Sequence, residues 1–126
     1  VYAGADALAL VSLHEPFGVA LREGVAAGLP LIASSRAGAT GDVAVAGRNA
    51  IVVDPDDGCA IAAAVAVLAR DGALREQMSA ASLQIDGEWP LSRTVDSFAR
   101  AIALAYEFSS SGSTRPRSMS TARSQR

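Results

Sequence analysis

The sequence predicts an α/β domain in which helices flank a parallel sheet. Three short apolar runs, at residues 7–13, 31–34 and 51–53, have the length and composition of buried strands. Between and after these runs, apolar residues recur at helical spacing, and glycine and proline mark the boundaries. In an open parallel sheet of this kind, ligands bind at the carboxyl ends of the strands.

The first strand, the helix after it and the second strand form one predicted unit. Residues 7–13 make the strand, and Gly18 allows the tight turn that leads into a helix over residues 19–27. Gly28 ends that helix, since glycine is the usual residue just past a helix C-terminus. Residues 31–34 then return as the second strand.

A loop and a third strand complete the predicted sheet. Residues 35–41 are small and form a loop at the carboxyl end of the second strand. A short helix is predicted at residues 42–46, and residues 51–53 form the third strand.

Three more helices are predicted after the sheet. Asp56 or Asp57 caps the first of them and Asp71 caps the second. Their apolar faces are predicted from helical spacing as Ile61, Val65 and Leu68 in one and Leu74, Met78 and Leu83 in the other. A break at residues 89–92 precedes a long final helix with a broad apolar stripe.

The composition indicates one compact domain followed by a different kind of segment. The chain has 126 residues, of which 50% are hydrophobic and 19% are charged, enough for one domain but not for two. Residues 109–126 contain seven serines, four arginines and few apolar side chains, too few to offset the entropy of ordering. We therefore predict a domain over residues 1–108 and a disordered tail over residues 109–126.

Charge and cysteine content exclude several classes of protein. Residues 1–108 carry 7 arginines and 13 acids, which gives −6 and argues against a nucleic-acid-binding surface. Cys59 is the only cysteine, so no intramolecular disulfide can form, and a reducing, cytoplasmic setting is expected. No run of about 18 apolar residues is present, so no transmembrane segment is predicted.

Two carboxylates bracket the N-terminus of the first predicted helix. Glu15 lies on the loop before the helix, and Glu23 follows after seven intervening residues, one turn inside it. Helical side chains lean toward the N-terminus, where unpaired amides and the helix dipole favour an anion. A ligand that fits has an anionic centre and hydroxyl-rich ends, as a nucleotide diphosphate sugar does.

This stretch resembles a known family of enzymes. Residues 15–18, Glu-Pro-Phe-Gly, with Glu23 and Gly28-Leu29-Pro30, are similar to the Glu-x7-Glu region of retaining glycosyltransferases of the two-Rossmann-domain (GT-B) type, most closely glycosyltransferase family 4. The resemblance extends upstream to residues 2–7 and downstream through residues 32–38 and 47–57. It covers roughly residues 1–107.

The resemblance implies a fold, a ligand and a set of site residues. The chain would be the distal half of a Rossmann-like donor domain that binds a nucleotide diphosphate sugar, and this architecture requires no metal ion or other cofactor. Glu15 would contact the transferred sugar as the catalytic residue, and Glu23 would accept hydrogen bonds from the ribose hydroxyls. The other donor-binding positions implied are Phe17, Gly18, Val19, Gly38 and Thr40.

Plainer interpretations exist for each of these residues. Either glutamate could be a solvated surface acid, the commoner fate of a glutamate. Gly38 and Thr40 could form a tight turn without touching a ligand. His14 could reach the sugar, but a lone histidine without a placed partner is more often a loop residue.

Two positions depart from the family pattern. Asp42 stands near the place where the family more often has glutamate, after an Ala37-Gly38 pair in place of two glycines. Ala50 replaces a glycine after Asn49, and it would be strained if the turn needed a positive φ.

The resemblance also implies what this piece lacks. Family members need an N-terminal domain for the acceptor and a basic pair for the diphosphate, neither of which is in this sequence. Since the chain begins with Val1 in mid-domain sequence, we expect a fragment that is inactive alone. The alternatives are a non-catalytic nucleotide-sugar-binding or interaction module and a hexosamine epimerase of the same architecture. The identities of the nucleotide, sugar and acceptor stay open.

Overall fold

The chain divides into two compact units, residues 1–90 and residues 91–126. The computed structural model describes residues 2–110, apart from the side chains of residues 91 and 110. In order, the first unit contains a one-turn 3-10 helix (Tyr2–Gly4), β1 (Leu8–Leu10), α1 (Val19–Ala26), β2 (Leu31–Ser34), β3 (Ala50–Val53), α2 (Gly58–Arg70) and α3 (Gly72–Glu88). The second unit contains α4 (Leu91–Ser110).

The sheet is parallel, with strand order β1-β2-β3. Leu31 of β2 lies opposite Leu8 of β1 on one side and Ala50 of β3 on the other. All four residues of β2 are buried, as expected for a central parallel strand that is covered on both faces. The predicted α/β architecture with a parallel sheet flanked by helices is confirmed.

One face of the sheet is covered by α1. Leu21 and Val25 of α1 are fully buried against Leu31 and Ala33 of β2, and Ile85 of α3 joins the same cluster. The opposite face packs Ile32 of β2 against α2 and the first half of α3, through Ala64, Leu68 and Met78.

α1 follows its prediction to within one residue. Its buried face includes Gly24, where an added Cβ would lie only 2.6 Å from Leu8 Cδ2, so the absence of a side chain lets the helix approach the sheet. At the C-terminus Gly28 has φ +70. The amide of Gly28 donates to Val25 O at 2.9 Å and that of Leu29 to Gly24 O at 2.9 Å, which is the Schellman pattern of a helix end.

The first strand is shorter than predicted. It was expected over residues 7–13, but β1 pairs with β2 only from Leu8 to Leu10. The last residue of β2, Ser34, pairs only with β3. Beyond Leu10 the chain therefore has no ladder partner and leaves the sheet, and Leu13 is 61% exposed.

The helix predicted at residues 42–46 is wrong. The segment forms turns with isolated bridges, Thr40 to Ala44 and Ala46 to Ala50. Asn49 accounts for the difference: its Oδ1 accepts from Val45 N at 2.9 Å. Its Nδ2 donates to Val43 O at 2.9 Å. A side chain that takes these backbone groups competes with helical hydrogen bonds.

Two residues assigned to apolar faces are exposed. Val65 is 49% and Leu83 is 56% exposed, whereas Ala64 in α2 and Ile85 in α3 are buried. The buried stripe of α3 includes Ser82, whose hydroxyl is satisfied in the core because it donates to Leu29 O at 2.7 Å. A polar residue in the stripe thus shifts the core face from the purely apolar pattern.

The helix caps and the final helix follow the prediction more closely. Asp57 Oδ1 accepts from Ala60 N at 2.9 Å and Asp71 Oδ1 from Leu74 N at 2.8 Å, so each is an N-cap. α4 extends through Ser110, two residues into the segment predicted as a tail. Residues 111–126 lie outside the described part of the chain, so their disorder stays a prediction.

The strain expected at Ala50 does not arise. No non-glycine residue between positions 2 and 110 has a positive φ. The left-handed position in this connection is Gly47, with φ +75, and Ala50 is the first residue of β3.

Candidate functional site

The N-terminus of α1 lies at the carboxyl edge of the sheet. No side chain of the N-cap residue caps it. Gly18 occupies the N-cap in the left-handed region, with φ 78 and ψ 42. Its carbonyl accepts from Leu21 N at 2.9 Å and Arg22 N at 3.3 Å. In the described part of the chain no acceptor lies on the amides of Val19 and Ala20. These two donors are free to meet an anion.

Glu15 lies directly beside this helix tip. Its Oε1 accepts from Gly18 N at 2.9 Å and Phe17 N at 3.2 Å. These two bonds, that to Gly18 most of all, lower the pKa of Glu15, with a smaller contribution from His14. Neither bond uses Oε2. The amides of Phe17 and Gly18, predicted to contact the donor, therefore hold the Glu15 carboxylate in this structure.

The Glu23 carboxylate forms its hydrogen bond with the first turn of the chain. Its Oε2 accepts from the Tyr2 hydroxyl at 2.7 Å. This bond, then desolvation and the nearby negative charge, raise the pKa of Tyr2. Tyr2 was not predicted as a site residue, because no local pattern relates it to a carboxylate that lies 21 residues along the chain.

Gly38 joins the small-residue loop to the loop that carries Glu15. Its amide donates to Glu15 O at 2.9 Å, and Glu15 and Ala37 form a parallel bridge. A Cβ at position 38 would lie 2.1 Å from Pro16 O, so only glycine permits this approach. The structure therefore brings Gly38 together with Glu15, Phe17 and Gly18.

Thr40 holds the same loop at the end of β2. Its hydroxyl donates to Ser34 O at 2.8 Å and its amide to Ala37 O at 3.0 Å. The hydroxyl proton is thus engaged within the protein. Ligand contact by Gly38 or Thr40 stays a prediction, as does a role for His14, which is exposed.

Arg36 forms a second charged group at this edge of the sheet. Its guanidinium bridges Asp54 and Asp56, which follow β3, with an N–O distance of 3.1 Å to Asp54. The pair with Asp56 is the largest cause of a raised Arg36 pKa. The sequence signal for this cluster is the Asp-Pro-Asp triplet at residues 54–56, after the third strand, from which no ion pair was predicted.

Two clefts differ in their relation to these residues. A cleft of about 300 Å³ adjoins the helix tip and includes Phe17, Val19, Arg22, Asp42 and Trp89. A larger cleft of about 420 Å³ lies between β1 and α2 and includes none of the predicted site residues. The smaller cleft is the relevant one, because Gly18 and Val19 of the helix tip line it. Neither Glu15 nor Glu23 is among its lining residues.

Among residues 2–110, none of the helices has the length and apolar character of a membrane-spanning segment.

The chain is similar in sequence to known proteins. Over 80 residues the chain is 36% identical to a glycogen synthase of Mycobacterium tuberculosis, covering 64% of this chain and 19% of that protein. Over 75 residues it is 44% identical to the lipopolysaccharide core biosynthesis glycosyltransferase LpsD of Rhizobium meliloti, covering 60% and 22%. The chain thus spans about a fifth of the length of these relatives.

A solved structure shares the fold. A sucrose-phosphate synthase from Thermosynechococcus elongatus superposes with a TM-score of 0.78 at 21% identity, covering 84% of this chain and 27% of that one. Residues 1–84, two thirds of the sequence, match the family described as Glycosyl transferases group 1. On this match the chain is a member of the group 1 glycosyl transferase family.

Proposed function

We propose that this chain is the donor-binding part of a retaining glycosyltransferase that moves a sugar from a nucleotide diphosphate sugar to an acceptor. One observation carries the proposal: the free amides of Val19 and Ala20 lie at a helix tip with Glu15 beside it and Glu23 one turn inside the helix. The dipole of α1 is positive at this tip, so an anionic ligand group fits there, while the two acids suit hydroxyl groups.

The proposed donor lies with its diphosphate against the tip of α1. Negative charge grows on the departing diphosphate as the sugar gains oxocarbenium character. Fixed amide dipoles stabilise that charge most in the transition state, so the same contacts that bind the donor assist the reaction.

The two carboxylates take different ends of the donor in this proposal. Glu23 accepts hydrogen bonds from the ribose hydroxyls. Glu15 has Oε1 engaged by the loop amides and offers Oε2 to a hydroxyl of the transferred sugar. Its lowered pKa keeps it ionised near neutral pH, and an ionised carboxylate is the stronger acceptor.

The names of the relatives support sugar transfer without fixing the substrates. A glycogen synthase and a lipopolysaccharide core glycosyltransferase both match this chain. Since about a fifth of each is covered, acceptor recognition and further diphosphate contacts would come from other parts of such an enzyme. We therefore expect donor binding, but no sugar transfer, from residues 1–126 alone.

Titration of the chain with a panel of nucleotide sugars tests the proposal. Trp89 is the only tryptophan in the sequence and lines the cleft at the helix tip, so its fluorescence reports on that cleft. Thermal stability provides a second measure of binding. We expect Glu23→Ala to weaken every donor that shares the nucleotide, and Glu15→Ala to reduce discrimination between sugars.

Glu76→Ala is the matched control, because Glu76 is an exposed acid on α3. If the variants at positions 15 and 23 bind the panel as well as the Glu76 variant does, the donor site is wrong. Binding of free nucleotide with no preference among sugars would favour the non-catalytic module instead.

A further inference from the structure

We infer that Tyr2 is a positioning residue, which orients the Glu23 carboxylate toward the ribose hydroxyls of the donor nucleotide. This inference rests on the proposed function and adds to it a residue outside the Glu-x7-Glu region.

The contact joins two elements of the first unit. The Tyr2 hydroxyl donates to Glu23 Oε2 at 2.7 Å, from the 3-10 turn before β1 to the exposed side of α1. The turn is closed by Ala5 N and Tyr2 O at 3.1 Å, and the chain then enters the sheet through Leu8 N, which donates to Pro30 O at 2.9 Å. The tyrosine is partly buried, and these two backbone bonds fix the turn that carries it.

The side-chain partner of Glu23 is neutral, unlike the arginine partners of several acids on this domain. Asp54, Asp86 and Glu88 each pair with an arginine, which offsets their charge. Glu23 instead receives a hydrogen bond from a neutral phenol. The contact fixes the direction of the carboxylate while its negative charge remains, so it stays a strong acceptor for hydroxyl groups.

The contact also leaves acceptor capacity for a ligand. An ionised carboxylate has about four lone-pair positions on its two oxygens. Tyr2 occupies one on Oε2, and no residue in the described part of the chain donates to Oε1. Two adjacent hydroxyls, as on a ribose, can therefore be met by a carboxylate that is already oriented. Without Tyr2 the glutamate would lose its rotamer freedom only on binding, which weakens affinity.

Tyr2→Phe tests the inference, because it removes only the hydroxyl. Tyr106→Phe is the control, since Tyr106 is the other tyrosine of the sequence and is 75% exposed on α4. The probes are ADP, UDP and GDP with their 2′-deoxy forms, followed by Trp89 fluorescence and thermal shift. We expect Tyr2→Phe to weaken the ribonucleotide by about threefold to tenfold and the 2′-deoxy form by less. The Tyr106 variant should behave as wild type.

The preference for ribose over 2′-deoxyribose separates positioning from a general structural effect. An equal loss for both sugars, or no loss for either, overturns the inference. If Tyr2→Phe leaves nucleotide affinity unchanged while Glu23→Ala lowers the affinity for the ribonucleotide, only the proposed role of Tyr2 is wrong. If Glu23→Ala also leaves nucleotide affinity unchanged, the proposed function is wrong as well.

A second measurement needs no ligand. Ultraviolet absorbance follows the ionisation of tyrosine, and Glu23 raises the pKa of Tyr2. Glu23→Gln should lower that pKa. Identical titrations of Tyr2 in both proteins would show that the contact is not formed in solution, and the inference would fail.

Discussion

Asn49 Nδ2 donates to Ser82 Oγ at 3.2 Å, and both side chains are fully buried. This bond ties the connection between β2 and β3 to α3, 33 residues further along the chain. Together with its bonds to Val43 and Val45, it makes Asn49 the residue that organises the connection next to the site.

Asn49→Ala should destabilise the domain by about 2–3 kcal/mol, because it leaves the Val45 amide and the Val43 carbonyl without partners in a buried region. Urea denaturation gives the free energy of unfolding. Gln84→Ala, at an exposed position of α3, is the control and should change stability by less than about 0.5 kcal/mol. A similarly small change for Asn49→Ala would contradict this account.

Gly38→Ala should destabilise the domain by about 1–3 kcal/mol, because the new Cβ would lie 2.1 Å from Pro16 O and force the two loops apart. Gly87→Ala is the matched substitution, since a Cβ there meets nothing within 4 Å and the residue lies inside α3. That change should stabilise the helix by roughly 0.5–1 kcal/mol. Opposite signs in thermal unfolding are expected, and a harmless Gly38→Ala would refute the close approach.

Stability should depend on pH through Glu15. Its pKa in the folded state lies below the ordinary value of 4.5, chiefly because of the bond from the Gly18 amide. A lowered folded-state pKa means that the contribution is present above the unfolded-state pKa and is lost as pH falls through the folded-state pKa.

The stability difference between wild type and Glu15→Gln should therefore be largest near neutral pH and shrink in acid, as measured by urea unfolding across that range. Glu76→Gln, which changes an exposed acid on α3, provides the baseline. A difference that does not vary with pH would show that the carboxylate is not held by the loop amides.

Asp71→Ala should cost about 1 kcal/mol of stability, because the carboxylate caps α3 by accepting from Leu74 N at 2.8 Å. Asp71→Asn should retain most of the stability, since asparagine caps helices about as well as aspartate. Circular dichroism with thermal melting compares the two. Equal losses in both variants would point to the charge, not to the cap.

Residues close in sequence were enough to predict α1. The features that were predicted wrongly depend on contacts with residues further along the chain. The turn at Gly18 and the stop at Gly28 bound α1 in the sequence and in the structure. The helix expected at residues 42–46 failed because Asn49 and Ser82 control that segment from further along the chain. The core face of α3 was also predicted wrongly, because a hydrophobicity pattern treats the buried Ser82 as a surface residue.

The site shows the same division. Glu15 was predicted beside the helix tip, and it lies there, bonded to amides two and three residues away. The contact between Tyr2 and Glu23 depends on how the first turn of the chain packs beside α1, which spacing within a motif does not encode.

The bare tip of α1 has a consequence for protein engineering. Asparagine tolerates the left-handed backbone found at position 18, and its side-chain oxygen would compete with a ligand for the Ala20 amide. The added Cβ would meet Ala39 Cβ at 3.1 Å, so a modest shift of the neighbouring loop is required. Gly18→Asn should therefore weaken anion binding at this helix tip relative to wild type.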